Sequence, residues 1–468
     1  MRTVSTPVST LSAVAPADDV AALDVAALDV DVLVVGAGPS GLGTAAFFDV
    51  AKKAAGSDAR LVVVEAAADP GGYCRTVKQD GFVFDYAGHF FHFRDPAMRD
   101  FLAKRLPADA LCTVQRIARV IDVAGDEVAY PYQAHIGGLP KAAFIACLAD
   151  LWRAEQEREQ AQTTSSASAP TSFKQWVRSR CGDALCERFL FPYNEKLYAT
   201  DLDSLDADCM GRFFPEVRFA DVMRALADDS ARYGYNSTFT YPKDGAVSYI
   251  DALRRDLDDN DLLLNEAVVA IDTDAHLVTT TKRRIRYRQL VSSAPLPKLL
   301  ALCGLEVDAA AFSWNRVLVF NLGFAEKARA DAHWIYVARA DVPFYRVGFY
   351  DVIVDGPRAS LYVEIGLPQT GDVDVAALLE RTLAGLRSLG IIDTQPLIST
   401  HHVIMDPAYV HLTPRALTTT TAALATLAAR DVHSIGRYGA WTYCSIEDNL
   451  IAARALVDGP LSSLLHRA

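Results

Sequence analysis

Three observations predict an α/β chain built around a Rossmann-like dinucleotide-binding domain. Residues 31–43, DVLVVGAGPSGLG, run from an apolar strand into a G-x-G-x-x-G turn. A second apolar run at 61–64 ends in Glu65. Between 317 and 366 the runs VLVFNLGF, HWIYVA, FYRVGFYDVIV and SLYVEIGL are rich in aromatic and β-branched residues and predict a separate antiparallel β-sheet. The expected organisation is a flexible tail over 1–29, then a discontinuous cofactor domain formed by 30–95, 245–300 and 430–468. A mainly helical domain over 96–244 and an antiparallel sheet domain over 301–429 are inserted into it and carry the substrate.

The chemistry of the first turn explains its spacing. Gly36 permits the tight turn, Gly38 lets backbone approach a pyrophosphate, and Gly41 allows close packing of helix on strand. Pro39 and Ser40 open an Ala-rich helix that reads on to about Lys53, with its positive dipole end toward the phosphates. Glu65 closes the unit as an acceptor for a ribose hydroxyl. A glycine loop alone is weak evidence, but here strand, helix and acid all fall in place.

Asp69-Pro70-Gly71-Gly72-Tyr73-Cys74-Arg75-Thr76 follows directly, then Gly81-Phe82-Val83-Phe84-Asp85-Tyr86-Ala87-Gly88-His89. The bland reading is a β-hairpin with glycine turns. The second glycine pair after the acid resembles FAD proteins of the amine oxidase superclass. That resemblance implies FAD, with Gly71, Gly72, Arg75 and Gly88 on the cofactor.

Composition narrows the function classes. A chain of 468 residues suggests about three domains, and 51% hydrophobic with 22% charged residues supports a large core. Net charge −12, with no basic run or stripe expected, argues against a nucleic-acid partner. No apolar segment approaches the roughly twenty residues of a membrane span. Residues 1–19 lack the basic start and apolar block of a secretory signal, and AALDV at 21–25 repeats at 26–30. Eight scattered cysteines without a C-x-x-C pair favour free thiols in a reducing cytoplasm. No metal site is expected, and His401-His402 reads as strand or loop.

Further along, Pro96 starts a helix to about 106, and 111–130 reads as strands with a turn at Gly125-Asp126. Residues 141–157 read as an amphipathic helix, and QAQTTSSASAPT at 160–171 as a mobile loop able to close over substrate. A helix over 173–190 is expected to end at Phe191-Pro192-Tyr193-Asn194. Another helix starts near Asp221, a short strand spans 236–241, and 247–257 is helical. Strands at 262–272, 277–281 and 287–292 return the chain to the cofactor domain. A helix at 373–389 and a closing strand, glycine turn and helix over 435–457 complete it.

Several motifs in shared order resemble the UDP-galactopyranose mutase family, most closely its eukaryotic-type branch. They are FDYAGHFFHFRD, AYPYQ, FLFPYNEKLYA, YNSTFTYPKDG, WIYVARADVPFYR and GRYGAWTYCSIEDN. The resemblance implies that N5 of reduced FAD attacks the anomeric carbon of a UDP-hexose. UDP departs, the sugar ring opens and recloses through another hydroxyl, and UDP returns without net oxidation. It implies Arg346, Tyr336, Tyr409 and Tyr443 on the diphosphate. Tyr130, Gln133, Phe189, Asn194 and Tyr198 fall on the uridine side, with Phe189 stacked on the base. Asn236 falls near the sugar, and His89 near flavin N5 as a flavin-positioning or proton-relay group. Gly436, Arg437, Asp448 and Asn449 belong to the terminal flavin turn. NADPH or NADH is a possible reductant. Outside these motifs, a tyrosine in a β run is ordinarily sheet or core, and a lone histidine ordinarily structural; His92, His135 and His411 read as loop residues.

The chain departs from the family at four places. The Gly-Gly-His loop is Ala87-Gly88-His89, and the expected Gln-Asn-Asn is Gln133-Ala134-His135. Asp244-Gly245-Ala246-Val247 replaces a Gly-Gly-Thr-Gly run, and Phe213, with Arg212 one residue early, stands where a sugar-side arginine is expected. These bear on the sugar more than on the flavin. The competing readings are an FAD-dependent oxidoreductase of the amine or protoporphyrinogen oxidase type and a non-catalytic sugar-nucleotide binder.

Overall fold

A computed structural model describes residues 4–5, 27–107, 109–164, 170–228, 237–329 and 331–466. Its centre is a five-stranded sheet in the order Leu262–Leu263, Leu61–Val64, Val32–Val35, Gln289–Ser292, Val432–Ser434. Every pairing in it is parallel. Val32–Val35 and Leu61–Val64 are buried throughout, which is why they read as unbroken apolar runs rather than alternating ones. Helix Pro39–Ala55 covers the sheet and ends where Gly56 turns left-handed at φ 63°. It packs closely on helix Ile446–Asp458, since a Cβ on Gly43 would lie 2.9 Å from Leu450.

The second large sheet has eight strands. Their order is Val4–Ser5, Leu397–Met405, Arg316–Phe324, Ser360–Leu367, Arg346–Phe349, Trp334–Val337, Ala118–Ile121, Glu127–Ala129. The hairpin 118–129, early in the chain, extends this sheet by pairing parallel to Trp334–Val337. Tyr336 pairs with Arg346 and Arg346 with Glu364, so two functional candidates share one rung and one face with a buried acid.

A meander of Val268–Asp272, Leu277–Thr280 and Arg284–Arg286 is joined in parallel by Leu28–Asp29. The tail read over 1–29 therefore contributes a paired strand at its end. Lys282, Arg283, Arg284, Arg286 and Arg288 form a basic run here that the reading from net charge passes over. Three of these cations are already paired, Arg283 with Glu266, Arg286 with Asp29 and Arg288 with Asp31.

Three expectations are corrected. The helix read over 141–157 is Lys141–Thr164, so the loop read at 160–171 begins later, and its residues 165–169 lie outside the described ones. The helical run does not stop at Pro192. A π-helical turn, Cys186–Leu190, leads straight into helix Phe191–Tyr198, with Pro192 in its first turn, where a missing N–H breaks no intrahelical bond. In FYDVIV the chain leaves the sheet after Phe349, and Tyr350–Val354 is helical. The Tyr350 hydroxyl donates to Asp85 O at 3.3 Å, the Asp351 carboxylate accepts from Ser360 N at 3.0 Å, and Asp355 closes the turn at φ 53°. These polar contacts override the β preference of the run.

All eight cysteines are free thiols. Among the described residues no helix is long and apolar enough to cross a membrane.

Candidate active site

The two glycine turns meet face to face. A Cβ built on Gly41 would fall 1.9 Å from Gly36 O, and one on Gly36 would fall 2.5 Å from Ser293 Oγ, so both positions are closed to side chains by packing. Gly38 and Gly72 differ. A Cβ on Gly38 meets nothing nearer than Gly72 Cα at 3.9 Å, and one on Gly72 nothing nearer than Gly38 Cα at 3.5 Å. Bare backbone therefore lines a gap between them. Gly71 N donates to Ala37 O at 2.7 Å and docks the second turn on the first. Glu65 braces the loop, accepting from Ala37 N at 2.8 Å and Ala67 N at 2.9 Å. Pro39 occupies the first turn of the helix, and no side chain caps its N-terminus. Its leading N–H groups suit an anion. Bare glycine backbone beside an uncapped helix end fits a dinucleotide pyrophosphate.

The C-terminal turn completes this region. Asn449 Oδ1 accepts from Ser40 Oγ at 2.9 Å and from Arg437 N at 3.2 Å. Gly436, at φ 85°, leaves room for Ser40 that a side chain would fill. The Arg437 guanidinium donates to Cys444 O and lies over the rings of Tyr443 and Tyr409, at 5.0 and 5.6 Å. Asp448 caps the last helix through Ser445 and pairs with Arg94 at 2.7 Å and Arg212 at 2.6 Å. Arg75 donates to Asp69 O within the second glycine turn.

A solvent-open cleft lies beside these turns. Tyr130, Gln133, Phe189 and Asn194 lie on its wall with Tyr336, Arg346, Tyr409 and Tyr443, and Gly88 of the flavin-loop motif. Phe189 and Tyr193, one helical turn apart, stack at 5.1 Å. Gln133 Nε2 donates to Pro215 O at 2.7 Å. Asn194 is 3% exposed; its Nδ2 donates to Leu190 O at 2.7 Å, while Oδ1 has no hydrogen-bond partner in the protein. A buried lone acceptor on a cleft wall is a place for a ligand donor.

Arg346 is held by Glu364, which is 1% exposed. Nε donates at 3.0 Å and Nη2 at 2.6 and 2.7 Å, and the Tyr345 hydroxyl donates to the same carboxylate at 2.6 Å. Tyr409 and Tyr443 stack at 5.9 Å. His89 is recessed behind the loop, its Nδ1 3.0 Å from Ala87 O, and burial pushes its pKa down to about 4. It is therefore a neutral imidazole at neutral pH, with Nδ1–H donating and Nε2 free to accept.

Not every candidate reaches the cleft. Tyr198 lies behind the wall, edge-on to Tyr409 at 6.0 Å, because it sits on the buried face of its helix. Asn236 lies outside the described residues. Phe213 lines the cleft edge-on to Tyr443 at 4.9 Å, while Arg212 turns away to Asp448. Of the histidines read as loop residues, His135 and His411 bind backbone carbonyls, but His92 lines the cleft.

The sequence reading missed Phe90, Tyr193 and Trp334 on the wall. Trp334 is two residues before Tyr336 on one strand, and that period of two was the available signal. Its indole Nε1 is buried and has no hydrogen-bond partner.

Residues 34–105 match the model of the NAD(P)-binding Rossmann-like domain. The whole fold is similar to that of reduced UDP-galactopyranose mutase, at 22% identity over 93% of this chain and 94% of that one, with TM-score 0.82. It is also similar to a putative protoporphyrinogen oxidase from an Exiguobacterium species, at 16% identity over 94% and 99% with TM-score 0.72. Cyclohexylamine oxidase from Brevibacterium oxydans matches at 17% over 93% and 99% with TM-score 0.68. The fold is thus the α/β architecture shared by that mutase and those oxidases, with the Rossmann-like unit at its centre.

Proposed function

We propose that this protein is a flavin-dependent UDP-sugar mutase that interconverts pyranose and furanose forms, with UDP-galactose the first sugar to test. The observation that carries the reading is one continuous cleft wall. It joins the aromatic and amide set Phe189, Gln133 and Asn194 to a fixed guanidinium among tyrosines, and then to the Gly88 loop beside the glycine turns. That order matches base, diphosphate and sugar against a flavin.

The Gly36–Gly41 and Gly71–Gly72 turns would hold FAD, together with Gly436, Arg437 and Asn449 of the C-terminal turn. Bound in its reduced form, it supplies a nucleophilic N5 for exchange of UDP at the anomeric carbon. The chain supplies the rest. Arg346, Tyr336, Tyr409 and Tyr443 hold the diphosphate as it leaves and returns, so its negative charge never faces apolar walls unpaired. Phe189 stacks on uracil, and Asn194 Oδ1 takes a donor from the nucleoside. His89 orders the Gly88 loop through Ala87 O and stays neutral behind it. Phe213, in place of a cation, makes the sugar end tolerant of a less polar hexose. NADPH or NADH is the candidate reductant, and the cytoplasm the compartment.

The alternative, a flavin oxidase, is favoured by the aromatic surfaces of Phe90 and Trp334 in the cleft. A guanidinium held among phenols argues against it, since it suits a phosphate rather than an amine. The test is anaerobic incubation of the holoprotein with UDP-galactopyranose and UDP-galactofuranose, with and without dithionite. Interconversion only under reduction supports the mutase. Flavin reoxidation coupled to an amine or porphyrinogen, with no isomerisation, overturns it.

A further inference from the structure

The two walls of the cleft come from separate parts of the chain. Tyr193, Asn194 and Leu197 are carried by helix Phe191–Tyr198, and Tyr336 and Arg346 by strands Trp334–Val337 and Arg346–Phe349. The turn 338–345 joins those strands, with Val337 N donating to Tyr345 O at 2.8 Å. Lys196 leaves the same helix on a different face. Its Nζ donates to Arg339 O at 3.0 Å, Val342 O at 3.1 Å and Val337 O at 3.4 Å. Among the described residues these are the hydrogen bonds between that helix and that turn. Ring contacts add to them, Tyr193 edge-on to Tyr336 at 5.4 Å and to Tyr345 at 6.1 Å. From the third side, Gly366 brings the Ser360–Leu367 strand against the helix backbone, where a Cβ would fall 2.0 Å from Lys196 O.

We infer that Lys196 is a positioning residue that fixes the spacing between the nucleoside wall and the diphosphate wall. This rests on reading the cleft as a UDP site. An ammonium with three donors satisfies three carbonyls at once, two in the turn and one at the strand end, which a neutral or two-donor group does not. It has no carboxylate on it. Asp341 is its nearest acidic influence, and Asp341 is itself ion-paired with Arg339. Burial pushes the Lys196 pKa down to about 8, against the pull of Asp341. Holding the charge there opposes folding rather than assisting it.

The spacing matters only to a ligand that touches both walls. UDP spans them, uridine meets one, and pyrophosphate meets the other. Wild-type holoprotein, Lys196→Met and Lys196→Arg are titrated with UDP, uridine and pyrophosphate, the last two also by competition against UDP, with melting curves alongside. The expected result is a loss of about tenfold in UDP affinity for Lys196→Met, uridine and pyrophosphate changing by less than about twofold. Lys196→Arg, which keeps the charge and several donors, recovers most of the loss. Lys196→Met melts no lower than wild type by more than a few degrees. Uridine affinity falling in step with UDP, or UDP affinity unchanged, overturns the inference. If Lys196→Met does not fold, Lys196→Arg and Lys196→Gln are compared in the same three titrations, and equal losses for all ligands overturn it likewise. A wild type that fails to bind UDP overturns the nucleotide reading itself, a result read before any variant is made.

Discussion

Arg346 and Glu364 stand directly opposite on neighbouring antiparallel strands, and the carboxylate takes two guanidinium nitrogens of Arg346 at 2.6 to 3.0 Å. The guanidinium plane is therefore set before any ligand arrives. Its orientation is a property of the sheet register and not of the ligand.

Removing one partner strands the other. Arg346→Ala leaves the Glu364 carboxylate buried with only the Tyr345 hydroxyl, and should cost about 3 kcal/mol of stability in denaturant unfolding. Arg346→Ala with Glu364→Leu should regain most of that stability. UDP binding should be lost in both. Recovery of UDP affinity in the double variant would show that Arg346 does not touch the diphosphate.

The glycines of the first turn should separate folding from cofactor retention. Gly41→Ala has no room for its methyl, 1.9 Å from Gly36 O, and should yield little folded protein. Gly38 has ordinary extended backbone and its methyl meets nothing within 3.9 Å. Gly38→Ala should fold as apoprotein with unchanged melting, yet retain less than about a tenth of the flavin, read by visible absorbance. Full flavin content in Gly38→Ala would exclude the gap between the turns as the pyrophosphate seat.

Asn194→Ala should weaken uridine and UDP alike, by about tenfold, because each loses a partner on the buried Oδ1. Pyrophosphate affinity should stay unchanged. A loss confined to UDP would move Asn194 from the nucleoside to the diphosphate.

His89 has its folded pKa lowered to about 4 from an ordinary value of 6.5. The unfolded chain thus binds more protons between those values. Its contribution to stability is fully present above pH 6.5 and is lost as pH falls through 6.5 toward 4. The stability difference between wild type and His89→Gln should shrink over that window. It should stay constant above it, as measured by urea unfolding at a series of pH values. The pH profile of turnover should likewise show no ionisation of His89 near 6.5.

Much of this architecture was legible because it rests on local necessity. The strand, glycine turn and helix at 32–55 have backbone requirements that few sequences meet, and the parallel strands announce double-sided burial as apolar runs. The cleft wall was legible only through motif order, since nothing in the period of a strand distinguishes Tyr336 facing a ligand from a tyrosine facing the core. Tertiary partners decided what was missed. Tyr350–Val354 turns helical because Asp85, 265 positions earlier, accepts from Tyr350, and Ser360 on the following strand donates to Asp351. Arg212 leaves the cleft because Asp448, contributed more than two hundred positions later, holds it. The hairpin 118–129 joins a sheet whose other long strands lie beyond residue 316, a partnership no local pattern encodes.

The bond from Ser40 to Asn449 spans 409 positions. The ribosome makes the glycine turn first and Asn449 only some four hundred residues later, so throughout that interval the Gly36–Gly41 turn waits without this partner. A chain interrupted before Asn449 carries the first half of the cradle without its clasp.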